Sequence, residues 1–143
     1  MRNILISILA VFVTSCASYD FVPTPVPEEI NSLIYTTQSP SGSKTWRITN
    51  NDLKVNITDK SNNGQVLSNR TIKTTPNDYN WVAYNLAQAK FTELKSLPAL
   101  RPTQTNETLI VETQAETFTY TQNSTTRFPE GIQKVTAVIP RLF

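Results

Sequence analysis

The chain has 143 residues, 13 Lys and Arg against 11 Asp and Glu, and a formal net charge of +2. These charges form neither a basic patch nor an acidic tail, so composition gives no reason to expect a nucleic-acid partner. The absence of histidine and the presence of one cysteine remove the commonest general base near neutral pH, the usual serine triad, most zinc sites and any intrachain disulfide.

The N-terminus reads as an export signal. A single cation at Arg2 precedes an apolar run from Ile4 to Val13, about ten residues long. That length suits a signal-peptide h-region and falls short of the roughly 20 residues a spanning helix needs. The run ends at Val13-Thr14-Ser15-Cys16, which resembles the bacterial lipobox: an aliphatic residue, two small residues and the cysteine that is lipidated. The one departure is Val13, where Leu is commoner. The resemblance implies a diacylglyceryl group on the Cys16 thiol, cleavage just before Cys16 and acylation of the new amino end. Two or more buried acyl chains, at about 0.8 kcal/mol per CH₂, hold a protein firmly on a bilayer. It also accounts for the lone thiol, which would be a hazard in an oxidising envelope.

Residues 1–15 are thus expected to be the signal peptide and 16–32 the lipidated cysteine with its tether. Prolines at 23, 25 and 27 forbid helix and favour an extended, semi-rigid spacer. A single domain is expected over 33–143. Ala17 and Ser18 follow the cysteine, where Asp would retain an enteric lipoprotein in the inner membrane, so this rule points to the outer membrane of the cell envelope and leaves the face open.

The domain opens with strand signals. Leu33-Ile34-Tyr35-Thr36-Thr37 is β-prone and ends at the turn Ser39-Pro40-Ser41-Gly42; Trp46 to Thr49 forms a second strand before Asn50-Asn51-Asp52. Leu53, Val55 and Ile57 alternate with Lys54, Asn56 and Thr58, the pattern of a half-buried strand. Asn62-Asn63-Gly64 predicts a type I′ hairpin leading to a partner strand from Val66 to Ile72. Thr75-Pro76-Asn77-Asp78 is a helix start, with a capping hydroxyl, proline at the first helical position and a carboxylate near the positive end of the dipole. Tyr79, Val82, Ala83, Leu86 and Ala89 continue at helical spacing, predicting a helix over 76–90. Leu109 and Val111, then Phe118 and Tyr120, predict a second hairpin around Gln114-Ala115-Glu116. Pro129 opens a final helix with Ile132, Val135 and Ile139 on one face, and Pro140 is expected to stop it. Strands, helix, hairpin, helix in that order give an α+β domain: a small antiparallel sheet of two hairpins with two helices on one face.

From Trp46 to Phe143 this pattern resembles the small α+β lipoprotein domains of Gram-negative bacteria, especially Bacteroidota, which carry a hairpin, a Trp-bearing helix, a second hairpin and a helix opened by proline. The resemblance is one of pattern and implies no activity.

Motif-like stretches have plainer readings. Ser41-Gly42-Ser43-Lys44 fits the S-x-x-K of penicillin-recognising enzymes but lies in a turn between strands and lacks their companion motifs. Asp59-Lys60-Ser61-Asn62-Asn63-Gly64 follows half of an EF-hand loop, but position twelve is Arg70, a cation where the bidentate Glu belongs. No catalytic residue, metal ligand or cofactor is assigned. Trp46, Trp81 and Tyr84 are the candidate contacts for a ligand or partner, although aromatics dominate the cores of small domains. The expectation is a non-enzymatic lipoprotein held to a membrane through Cys16, binding an envelope protein or serving as an accessory subunit. The alternative is capture of a small glycan or peptide, and an enzyme would need a cluster of Asp, Glu, Lys or Tyr that spacing does not show.

Overall fold

The computed structural model describes residues 30–98 and 106–143, so Cys16 and the proline-rich segment lie outside the described residues. The fold is α+β, as expected, with the strands and helices taken up in the predicted order. β1 (Ile30–Ser39), β2 (Gly42–Thr49), β3 (Lys54–Ser61) and β4 (Val66–Lys73) form an antiparallel meander. Helix α1 (Pro76–Gln88) follows, then a 3₁₀ turn at Phe91–Glu93 and the two-residue strand β5 (Leu97–Pro98). β6 (Asn106–Thr113) and β7 (Thr117–Gln122) return as a hairpin on the far side of β1, and the short β8 (Thr126–Arg127) pairs with β5. Helix α2 (Glu130–Leu142) ends the described fold. The six-stranded sheet therefore runs β4-β3-β2-β1-β6-β7, with β1 at its centre. The first predicted hairpin is part of a four-stranded meander, and β1 begins three residues before Leu33.

Register turns alternation into two faces. One cross-strand row of the inner face reads Ile72, Val55, Ile48, Leu33, Val111, Phe118, and the next reads Arg70, Ile57, Trp46, Tyr35, Leu109, Tyr120. The four central members of each row, with Tyr120, are buried against Tyr79, Val82, Ala83 and Leu86 of α1 and Ile132, Val135 and Ile139 of α2. Burying a side chain of this size contributes about 1.5–3 kcal/mol, so the two rows and the helix stripes dominate the fold's stability.

Hydrogen bonds at three inner hydroxyls fix two inter-element contacts and one hairpin. Tyr79 donates to the Ile30 carbonyl and ties α1 to the start of β1. Tyr120 donates to the Phe91 carbonyl and holds the 3₁₀ turn over β7. Thr113 donates to the Glu116 carbonyl and accepts from the Ala115 and Glu116 amides, closing the β6–β7 hairpin. α1 starts at the predicted Thr75 cap, and the structure adds a capping box, with Thr75 and Asp78 bonding each other's backbone amides. The end of α1 and the start of α2 approach closely at Ala89 and Gly131: a Cβ on Gly131 would lie 2.3 Å from the Ala89 Cβ.

Three local expectations are corrected. The β3–β4 turn is not type I′, which needs positive φ at both central residues. Only Gly64 there has positive φ, at 83°. The Ser61 amide bonds the Gln65 carbonyl across a three-residue loop, and the Asn63 carboxamide oxygen accepts from Ser61 Oγ and the Gln65 amide. That side-chain acceptor fills the role a second left-handed residue would have had. Leu53, read as a strand residue, takes φ 48° in the β2–β3 turn while its side chain packs on the core. Pro140 does not stop α2, which continues to Leu142 with the Phe143 amide bonded to the Ile139 carbonyl. Proline removes one hydrogen bond to the residue four earlier, and the buried Ile139 beside it keeps the last turn packed.

Candidate functional site

The aromatic candidates are not brought to one place. Trp46 is only 5% exposed, stacked on Tyr35 at 5.5 Å, with Lys44 Nζ 5.3 Å from the Trp46 ring centre. Its role is packing beneath a cation. Trp81 lies outside the buried stripe of α1 and is 40% exposed, and Tyr84 is half-buried on the same helix. Cys16 lies outside the described residues.

The motif-like stretches are engaged in hairpin structure. Ser41 Oγ is hydrogen-bonded to Ser39 Oγ at 2.8 Å, while Lys44 pairs with Asp59 across the β2–β3 ladder at 3.8 Å. Asp59 also accepts from Ser68 Oγ at 2.6 Å. Its carboxylate is held between two strands instead of opening a calcium loop. Among the described residues no three His, Cys, Asp or Glu side chains cluster as metal ligands.

What sequence reasoning missed is a third inner row. Beyond Trp46 and Tyr35 the same face continues as Ser68, Asp59, Lys44, Thr37, Glu107, Gln122. Parity carries the signal: Glu107 shares a phase with Leu109 and Val111, so a carboxylate falls on the apolar face. This polar row edges the core at the β1–β2 turn end of the sheet, opposite the Ile30 end where the chain enters.

Two open clefts flank it. One, of about 280 Å³, is lined by Thr37, Ser39, Ser43, Lys44, Asp59 and Leu67 among others. The second, of about 350 Å³, lies between the sheet and α2, lined by Tyr35, Glu107, Gln122, Phe128, Gln133, Thr136, Ala137 and Pro140. There Tyr35 Oη donates to Glu107 Oε2 at 2.6 Å. Burial, then the hydrogen bond and negative charge of Glu107, hold the Tyr35 phenol well above its ordinary range, so it stays a neutral donor.

The outer face carries no helix among the described residues. Its middle rows read Thr71, Asn56, Arg47, Ile34, Ile110, Thr119 and then Asn69, Thr58, Thr45, Thr36, Thr108, Thr121. Thr36 and Thr45 hydroxyls bond each other at 3.0 Å, and Thr71 donates to the Asn56 carboxamide at 2.6 Å. The result is a polar face with two half-buried isoleucines adjacent at its centre.

No known protein family matches the chain, and no curated protein matches it. No helix among the described residues is long and apolar enough to cross a membrane.

Proposed function

We propose that this protein is a lipid-anchored envelope module that binds a macromolecular partner through the outer face of its sheet and catalyses no reaction. The observation that carries the reading is the asymmetry of that sheet. The inner face is filled by its own helices, while the outer face presents two six-residue rows of hydroxyl, amide and guanidinium groups around Ile34 and Ile110. Such a surface offers many directed hydrogen bonds at little cost to the core, as a polar protein interface does. The anchor is read from the Val13–Cys16 lipobox and the spacer from the prolines after it. Attachment at the Ile30 end would leave the β1–β2 turn and both clefts on the far side of the domain from the lipid. Capture of a small glycan or peptide is the second reading, favoured by those clefts.

The test is crosslinking of the full-length protein in cells, followed by purification from membranes, with Cys16→Ala and Thr45→Arg/Thr119→Arg versions beside it. The expected result is one envelope protein captured by the wild type and lost from both variants, with the double variant still in the membrane fraction. Release of the wild type from membranes by salt alone overturns the anchor. A crosslinked partner indifferent to Thr45→Arg/Thr119→Arg overturns the assignment of the sheet face.

A further inference from the structure

We infer that the cleft between α2 and the β1–β6–β7 edge is a binding site for a protonated primary amine. The cleft is independent of both the anchor and the outer face, and its character comes from the groups in it that lack a counterpart. Glu107 is half-buried on the helix-covered face, and among the described residues no Lys or Arg is paired with it. Its Oε2 accepts from Tyr35, which leaves Oε1 without a partner among the described residues. A partly desolvated carboxylate held by one neutral donor favours an incoming cation with N–H groups to give.

The other wall adds acceptors. Gln133 donates through Nε2 to the Phe128 carbonyl at 2.9 Å, which turns that amide group into a brace and leaves its carbonyl oxygen available. Thr136 uses its own hydroxyl proton on the Ile132 carbonyl at 3.1 Å. The Thr136 main-chain carbonyl would normally accept from the residue four later, but that residue is Pro140, which has no N–H. Thr136 and Pro140 both line the cleft. Pro140 brings the cleft to the last turn of α2, where the negative end of the helix dipole favours a cation. The Gln122 carbonyl oxygen accepts from the Phe128 amide, which fixes that side chain at the sheet wall of the cleft. A cleft with one carboxylate, several acceptors and apolar flanks at Ala137 and Pro140 matches an ammonium on an aliphatic chain. Its volume, about 350 Å³, is at the small end of ligand sites, which run roughly from 300 to 1,000 Å³. It suits one such group and not an extended polymer. A lysine side chain and a free alkylamine share this chemistry.

The test is titration of the full-length chain carrying Cys16→Ala with n-butylammonium, followed by amide NMR shifts, with n-butanol as the uncharged control and N-acetyl-lysine amide as the peptide source. The expected result is saturable shifts centred on Glu107, Gln122, Gln133 and Thr136 with both amines and none with butanol. Tighter binding of the lysine derivative points to a peptide, and equal binding to a free amine. Glu107→Gln, nearly isosteric, should weaken the amines by roughly tenfold or more, the loss of one hydrogen bond to a charged group. Pro140→Ala, which restores a donor for the Thr136 carbonyl, should weaken them a few-fold and leaves the carboxylate intact. Equal shifts with butanol, amine binding unchanged in Glu107→Gln, or no shifts at the cleft would each overturn the site.

Discussion

The two faces of the central sheet are built from the same strands, one residue out of phase, and they have opposite physical characters. Leu33 and Tyr35 point into the helices and are buried, while Ile34 and Thr36, their immediate neighbours, point outward and keep partial exposure. The inner face gains its stability from area removed from water, which is non-directional and large. The outer face is held by short hydroxyl and amide contacts such as Thr36 with Thr45, each contributing a few tenths of a kcal/mol up to about 1 kcal/mol. Packing therefore fixes the fold from one side, and the other side is free to carry recognition groups whose replacement does not unfold the protein.

The largest expected effect comes from emptying the inner face. Trp46→Ala removes a buried ring that stacks on Tyr35 and lies under the Lys44 ammonium and should destabilise by about 3–5 kcal/mol, read as the midpoint of urea unfolding. A loss as small as that of an outer-face change would break the two-face description. Next is the close approach of the two helices. Gly131→Ala places a Cβ 2.3 Å from that of Ala89, and overpacking of this kind costs about 1–3 kcal/mol. Ala89→Gly in the same chain should recover much of the loss beyond its own helix penalty, whereas a purely additive double variant would show that the helices meet differently.

Buried phenols on the inner face give a pH signature that the outer face lacks. Burial pushes the Tyr120 hydroxyl up to about 12 from an ordinary value of 10, and the Tyr35 phenol is raised as well. The folded state thus keeps its proton where the unfolded chain loses it. This contribution is fully present below pH 10 and is lost as pH rises through about 12. Unfolding midpoints should fall across that window in the wild type and fall less in Tyr120→Phe. An unchanged slope in the variant would remove Tyr120 from the account.

Much of this organisation was legible in the sequence, because period-2 alternation and a capping box are local signals. Val55 and Ile57 announced their strand, and Thr75 with Asp78 announced a helix start that the structure bears out down to the reciprocal cap. What was not legible depended on partners distant in the chain. The phase Glu107 shares with Leu109 and Val111 is a local signal, but its neighbours are not: the pairing of β6 with β1 sets it beside Thr37 and within reach of Tyr35. The turn at Asn63-Gly64 went another way because the Asn63 side chain accepts hydrogen bonds itself, a choice the dipeptide does not specify. Pro140 stays helical for a related reason: proline weighs against helix, but the buried Ile139 outweighs one missing bond.

The smallest effect is the sharpest check on the outer face. Thr45→Val removes the hydroxyl that pairs with Thr36 and keeps the β-branched shape that strands favour. Surface changes away from cavities and buried polar groups stay within about 0.5 kcal/mol, so the unfolding midpoint should barely move. Partner capture, however, should weaken if the outer rows make the contact, because Thr45 lies between Thr36 and Thr58 in the middle of its row. A variant that folds like the wild type and binds less well separates recognition from stability, and the two faces then differ in function as they do in packing. A variant that loses stability in step with binding would mean that Thr45 acts through the fold, and the outer face would be structural after all.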